Sequence, residues 1–170
     1  EGDALVLTKP LGSGVIMAAE MAGAACGAWV AAALASMTRS QGDAAALLRG
    51  AHAMTDVTGF GLAGHLHGIL MASGKSAELR RDAIPLLDGA LELAAQGQRS
   101  TLYPKNRDAV PGLVPKDPLE DLIFDPQTAG GLLACHPNGE EAVEALRGLG
   151  YAAAVIGRVT GDWPGHISLV

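Results

Sequence analysis

The chain has 170 residues, enough for one domain that buries a core without disulfide or metal staples, or for a large fragment of a longer protein. With 49% hydrophobic and 18% charged residues it is not a disordered chain, and with only two each of Phe, Trp and Tyr its core is built from Ala, Leu, Val, Ile and Gly. A formal net charge of −6, from 12 basic and 18 acidic residues, argues against a sequence-blind nucleic-acid binder but leaves room for a local site for a small anion.

The opening Glu1-Gly2-Asp3 has no initiator Met and reads as the start of an excised domain whose N-terminal partner is missing. Ala4 to Thr8 is a continuous apolar run, the pattern of a buried strand. After the turn Lys9–Gly14, strong helix formers continue from Val15 to about Met37, which predicts one long helix with Gly23 and Gly27 on a bare face packed against a sheet. The apolar stretch from Met21 to Leu34 is shorter than the roughly 20 residues of a membrane span, and no basic flank or cleavage site marks a signal peptide. Cys26 and Cys135 form no metal spacing or disulfide framework. They read as small buried side chains in a reducing cytoplasm.

Asp43 is placed to cap a short helix through Arg49. His52–Thr55 predicts a second strand, Gly59–Ser73 a Gly-rich turn passing into an apolar helix, and Ala77–Arg80 a third strand. Ile84–Ala95 is expected to be helical. Gln98–Lys116, with Pro104, Pro111 and Pro115, is expected to be a long loop. Leu119–Phe124 is a short apolar segment before the dense turn Asp125–Gly131 and a strand over Leu132–Cys135. Asn138 with Glu141 three residues on predicts a capping box, and the helix it opens ends at Gly148 or Gly150. Ala153–Val159 and His166–Val170 complete the strands. Strands alternating with helices imply a mixed class with helices covering a sheet.

The sharpest chemical candidate is the corner Met54-Thr55-Asp56-Val57-Thr58-Gly59-Phe60-Gly61-Leu62-Ala63-Gly64-His65-Leu66. A carboxylate leaves a strand end, and two glycines let the backbone turn into a helix whose first N–H groups attract phosphate oxygens. A carboxylate beside them suits Mg²⁺ riding on those phosphates. The plain alternative is a structural corner in which Asp56 or Thr58 only caps the helix. A third reading takes Gly59–Gly64 as the dinucleotide fingerprint G-x-G-x-x-G, with Glu78 about 20 residues on as the ribose-binding acid. Against it, the preceding strand is short and polar at His52, and Asp56 just before the turn would repel a pyrophosphate unless a cation intervened.

The turn Asp125–Gly131 offers the Thr128 hydroxyl and exposed amides to an anion, or simply leads into a strand. Lys9 either screens phosphate charge or is a surface lysine. Arg99, Lys105, Asn106 and Arg107 make their loop locally basic, or merely solvated. His65 and His67, two apart, form no metal pair on a helix, and no P-loop or nucleophile elbow is present.

The segments TKPLGSG, TDVTGFGLAGHL, RSTLYPKNR and FDPQTAGGLL occur here in that order, and together they resemble the selenophosphate synthetase (selenide, water dikinase) family over nearly all 170 residues. Relatives in its superfamily, the aminoimidazole ribonucleotide synthetases and the hydrogenase-maturation and thiamine phosphate kinase proteins, carry other variants. The resemblance implies an α+β fold, a three-layer α/β/α sandwich with a mixed sheet, partly ferredoxin-like. It makes residues 1–170 a single C-terminal domain beside an absent N-terminal one that drives homodimerisation. The implied reaction is ATP + selenide + water giving selenophosphate, phosphate and AMP, with Mg²⁺. Asp56 matches the family's Mg²⁺-binding aspartate, Thr58, Gly59 and Gly61 its turn, and Thr128, Gly130 and Gly131 the second turn at ATP. The family's nucleophile, essential Lys and most ATP contacts lie in the other domain, so no catalytic residue is expected in this chain, neither Cys is the nucleophile, and the chain alone is expected to be inactive. The loop over Arg99–Asn106 resembles versions fused behind an NADH-dehydrogenase-like oxidoreductase domain.

Overall fold

In the computed structural model, which describes residues 1–161 and 163–170, six strands form one sheet: β1 (Ala4–Leu7), β2 (Ala53–Asp56), β3 (Ser76–Leu79), β4 (Leu132–His136), β5 (Ala154–Thr160) and β6 (Ile167–Leu169). Their spatial order is β2-β4-β1-β5-β3-β6, antiparallel throughout except for the β3–β6 pair. The helices among the described residues are α1 (Ser13–Met21), α2 (Gly27–Thr38), α3 (Gly42–Leu47), α4 (Gly61–Ser73), α5 (Ala90–Ala95), α6 (Tyr103–Asp108), α7 (Pro118–Asp121) and α8 (Gly139–Gly148).

Two crossovers decide the layering. Helix α4 carries the chain from β2 to β3, and α8 carries it from β4 to β5. Both step across the sheet in the same direction, yet β2 and β4 run antiparallel. Right-handed crossovers, nearly obligatory in such units, therefore put the two helices on opposite faces. The side chains follow the strand period of two. Leu5, Leu7, Leu133 and Cys135 pack with Leu62, Leu66 and Leu70 of α4. Val6 and Ala134 pack with Val143 and Leu146 of α8. The product is the expected three-layer α/β/α sandwich, and its split βαβ units are the ferredoxin-like part. A third cluster joins α1, α2 and α5 through Ile16, Ala33, Leu93 and Leu122.

Several local expectations are corrected. The long Ala-rich helix is two helices, because Gly23 adopts φ +69° and its N–H bonds to Glu20 O while that of Ala24 bonds to Ala19 O, closing α1 with a left-handed C-terminal turn. Gly27 opens α2, and no atom lies within 4 Å of where a Cβ would stand on Gly23 or Gly27, so neither serves close packing on the sheet. Cys26 is exposed, and only Cys135 is buried.

The helix expected over Ile84–Ala95 is confined to α5, since Leu86 bridges Leu11 and Gly89 turns at φ +81°. The long loop contains α6, which opens with Pro104 in its first turn, where a missing N–H costs nothing. Gln41, not Asp43, stands at the N-cap of α3. Asn138 stands at the N-cap of α8 without making a side-chain bond, so the capping box does not form.

Candidate functional site

Three turns lock together at one end of the sheet, formed by residues 8–14, 57–61 and 125–131. Val57 N–H donates to Gly131 O (2.8 Å) and Gln127 N–H to Thr58 O (2.9 Å). Leu132 N–H donates to Thr8 Oγ1 (2.7 Å). Backbone also passes close to backbone, which accounts for three of the turn glycines. A Cβ on Gly130 would lie 2.1 Å from Val57 O, one on Gly131 2.6 Å from Lys9 N, and one on Gly61 2.8 Å from the Phe124 carbonyl carbon. Gly61 also needs its φ of +69°. Gly59 is different: nothing lies within 4 Å of its Cβ position, and its open side is free for a ligand.

Asp56 ends β2 on the sheet's edge, exposed, and its carboxylate makes no hydrogen bond or ion pair among the described residues. His65, one turn into α4, stands close enough to feel it. Burial lowers the His65 pKa, and the Asp56 charge opposes that from the other side. His65 Nε2 accepts the Thr58 N–H (3.0 Å) and lies 3.3 Å from Thr58 Oγ1, which fixes the ring as the neutral Nδ1–H tautomer. The Thr58 amide, a candidate phosphate donor by sequence, is therefore engaged inside the protein. No group of three or more His, Cys, Asp or Glu able to hold a metal occurs among the described residues. One unpaired carboxylate fits a Mg²⁺ ion that takes its other ligands from phosphate and water.

The 125–131 turn works inward as well as outward. The first N–H groups of α1 would be orphans. Gln127 Oε1 accepts those of Gly12 (3.0 Å) and Ser13 (3.1 Å), and Asp125 Oδ2 accepts those of Gly14 and Val15 (both 3.1 Å). Burial pushes the Asp125 carboxyl up to about 7, against the pull of its bonds from Val15, Gln127 and Gly14 and the charge of Arg99. The glycine turn before α1 is thus filled by the protein's own carboxyl. Thr128 donates its N–H to Ser13 Oγ (3.0 Å) and leaves its side chain exposed.

Lys9 is neither a surface lysine nor free to screen phosphate. It is buried, and its Nζ donates to Ser36 O (2.8 Å), Arg39 O (2.9 Å) and Ala129 O (3.0 Å). The last bond holds Ala129 in a left-handed conformation, φ +46°. In the long loop Lys105 and Arg107 stay exposed, while Arg99 and Asn106 turn inward. Arg99 bonds Ala94 O, Gln98 O and Asp121, and Asn106 Nδ2 donates to Gly59 O (2.8 Å) and Phe124 O (3.0 Å). In the sequence Asn106 stands out only as loop polarity, and Asp125, Gln127 and His65 have no visible role. The only available signal was several amide, hydroxyl and carboxyl residues in Gly-rich turns, since the partners lie far apart in the chain.

The dinucleotide fingerprint fails on topology. Strands β2 and β3, which such a motif needs side by side, are separated by β4, β1 and β5. Glu78 lies four strand spacings from β2, roughly 19 Å, and is bonded to Arg158 (2.7 Å).

Over residues 1–169 the chain matches the family model described as AIR synthase related protein, C-terminal domain. It belongs to that family. Among its relatives are two proteins named selenide, water dikinase. The one from Caldanaerobacter subterraneus subsp. tengcongensis is 38% identical over 170 residues, and the one from Desulfitobacterium hafniense (strain Y51) is 44% identical over 171. Each alignment covers 93% of this chain and 48% of the relative, so the chain spans about half the length of the curated relatives it matches. Crystal structures of the hydrogenase maturation protein HypE share the AIR synthase C-terminal fold. TM-scores are 0.74, and 0.70 for its complex with ATP, at 20% and 19% identity, covering 99% of this chain and 49% and 47% of those chains.

Proposed function

We propose that this chain is the C-terminal domain of an ATP-dependent selenophosphate synthetase, which converts ATP, selenide and water to selenophosphate, phosphate and AMP. The selenide, water dikinase relatives support the reaction class. At the site, the observation that carries the reading is Asp56, an exposed carboxylate without a partner among the described residues, three positions before the open face of Gly59. Asp56 would hold Mg²⁺, which when bound neutralises charge on the phosphates. Gly59 lets backbone approach the phosphate oxygens, with Thr58 and Gly61 closing its turn. Thr128 offers its hydroxyl from the docked second turn, whose backbone Gly130 and Gly131 allow to pass so close. In phosphoryl transfer the protein mostly positions groups and balances charge, so contributions of this kind suffice from one domain. On the same reading the selenide-handling nucleophile and the homodimer interface belong to the N-terminal half, and the whole works in the cytoplasm.

The test is Asp56→Asn in the intact synthetase. An amide oxygen replaces a carboxylate poorly on a hard cation, so AMP formation should fall on the order of 10²-fold or more with the melting temperature unchanged. Asp56 does not cap α4, whose N-cap is Phe60 with no side-chain bond, so near-normal turnover would leave the domain a role in assembly alone and the reading would be wrong.

A further inference from the structure

We propose that Asn106 is a positioning residue of this site, one that turns the Phe60 N–H outward, beside that of Gly59, as a pair of donors for a phosphate oxygen. This rests on the nucleotide reading above. The argument is one of peptide geometry. Thr58–Gly61 is a tight turn: Phe60 has φ −91° and ψ 0°, and Gly61 N–H closes it on Thr58 O (3.1 Å). In a planar trans peptide the N–H points opposite to the preceding C=O. Thr58 O points inward, where it accepts the Gln127 and Gly61 N–H groups, so the Gly59 N–H points outward. Gly59 O is likewise drawn inward by Asn106 Nδ2 (2.8 Å), so the Phe60 N–H points outward too. Neither N–H has a partner among the described residues, whereas those of Thr58 and Gly61 are engaged internally.

Asn106 is suited to this task. It is 3% exposed, and its Nδ2 spans two segments, Gly59 O and Phe124 O, so it ties the turn to the rigid backbone behind it. Without it the Gly59 carbonyl has no inward partner. The peptide between Gly59 and Phe60 can then rotate, helped by the absence of a side chain at Gly59, and the Phe60 N–H loses its direction. Two outward amides three and four residues after Asp56 would take one phosphate oxygen between them while the carboxylate holds the cation.

The experiment uses the intact synthetase. Asn106→Ala should raise KM for Mg·ATP at least 10-fold and leave the inhibition constant of adenosine, which has no phosphate, within 2-fold. Asn106→Asp should show a KM for Mg·ATP that climbs with pH, since the introduced carboxyl can still donate to Gly59 O while protonated and cannot once ionised. An unmutated measurement stands beside these in case the variants fold poorly. With ¹⁵N-phenylalanine labelling, the Phe60 amide should shift on adding Mg·ATP and stay in place on adding adenosine. A lowered melting temperature with KM unchanged would overturn the proposal, as would equal weakening of ATP and adenosine or a Phe60 amide indifferent to Mg·ATP. If Asp56→Asn also turned over normally, the nucleotide reading itself would have failed. If Asp56→Asn is dead and Asn106→Ala normal, only the positioning role is lost.

Discussion

Replacing Asp125 with Asn should remove a specific pH dependence from the stability of this chain. Asp125 lies under the N-terminus of α1 with one oxygen receiving the Gly14 and Val15 N–H groups and the Gln127 amide. Burial raises its pKa from 3.8 to about 7. A carboxyl whose folded pKa lies above its unfolded value favours folding through its protonated form. That stability is complete below about pH 4 and is lost as pH rises through 7. At 1.36 kcal/mol per pKa unit, the swing is at most on the order of 4 kcal/mol. The substituted amide copies the protonated form: its oxygen still accepts the three N–H groups and nothing titrates. The difference in unfolding free energy between variant and parent should be near zero at pH 4, grow steadily to pH 7, and reach roughly 2–4 kcal/mol in favour of Asn by pH 8. Urea denaturation at half-unit steps of pH gives that difference directly, and the other titrating groups cancel between the two proteins. An ionised Asp125 acting as a charged cap for α1 makes the opposite claim. In that case Asn would be the less stable form at pH 8 by about 1 kcal/mol, and that result would refute the reasoning.

The glycines can be sorted by the same kind of measurement. Gly130→Ala drives a Cβ to 2.1 Å from Val57 O and should cost about 2 kcal/mol or more, whereas Gly59→Ala, facing open space, should stay within about 0.5 kcal/mol by thermal denaturation. Leu66→Ala, fully buried under the sheet, should cost about 2–5 kcal/mol. Calorimetry on the 170-residue chain should find Mg·ATP bound no tighter than about millimolar, ~4 kcal/mol. Micromolar binding would mean that one carboxylate and two turns are already a complete site. The same chain should form no AMP from ATP and selenide, and turnover by it alone would show that the nucleophile lies within these residues.

Much of the fold was legible because its strongest signals are local. The run Ala4–Leu7 is buried at Leu5, Val6 and Leu7, and a strand apolar on both faces must lie inside a covered sheet, as β1 does between β4 and β5. The break between α1 and α2 was not legible, because Ala-rich sequence on both sides keeps helix propensity high, and Gly23 differs from a tolerated helix glycine only in the left-handed turn it adopts. The failed capping box at Asn138 has a similar cause: its residue types are right, but at φ −112° and ψ +53° the side chain makes no bond to the helix.

The site divides along the same line. Asp56 and Gly59, the proposed cation and phosphate contacts, could be nominated from the chain because a carboxylate and a flexible turn in sequence order are enough to suggest such a role. The residues that hold them could not. Asn106 meets Gly59 across 47 positions, Gln127 meets Ser13 across 114, and Lys9 meets Ala129 across 120. These are buried polar groups whose cited bonds run mainly to backbone atoms of distant turns, and backbone atoms carry no residue identity for a sequence to display. That also explains why Gly61, Gly130 and Gly131 read as ligand contacts. A glycine required because chain passes close to chain has the same letter as one required because a phosphate does. Only the direction in which its Cβ would point separates the two, and among these four that direction opens to solvent at Gly59 alone.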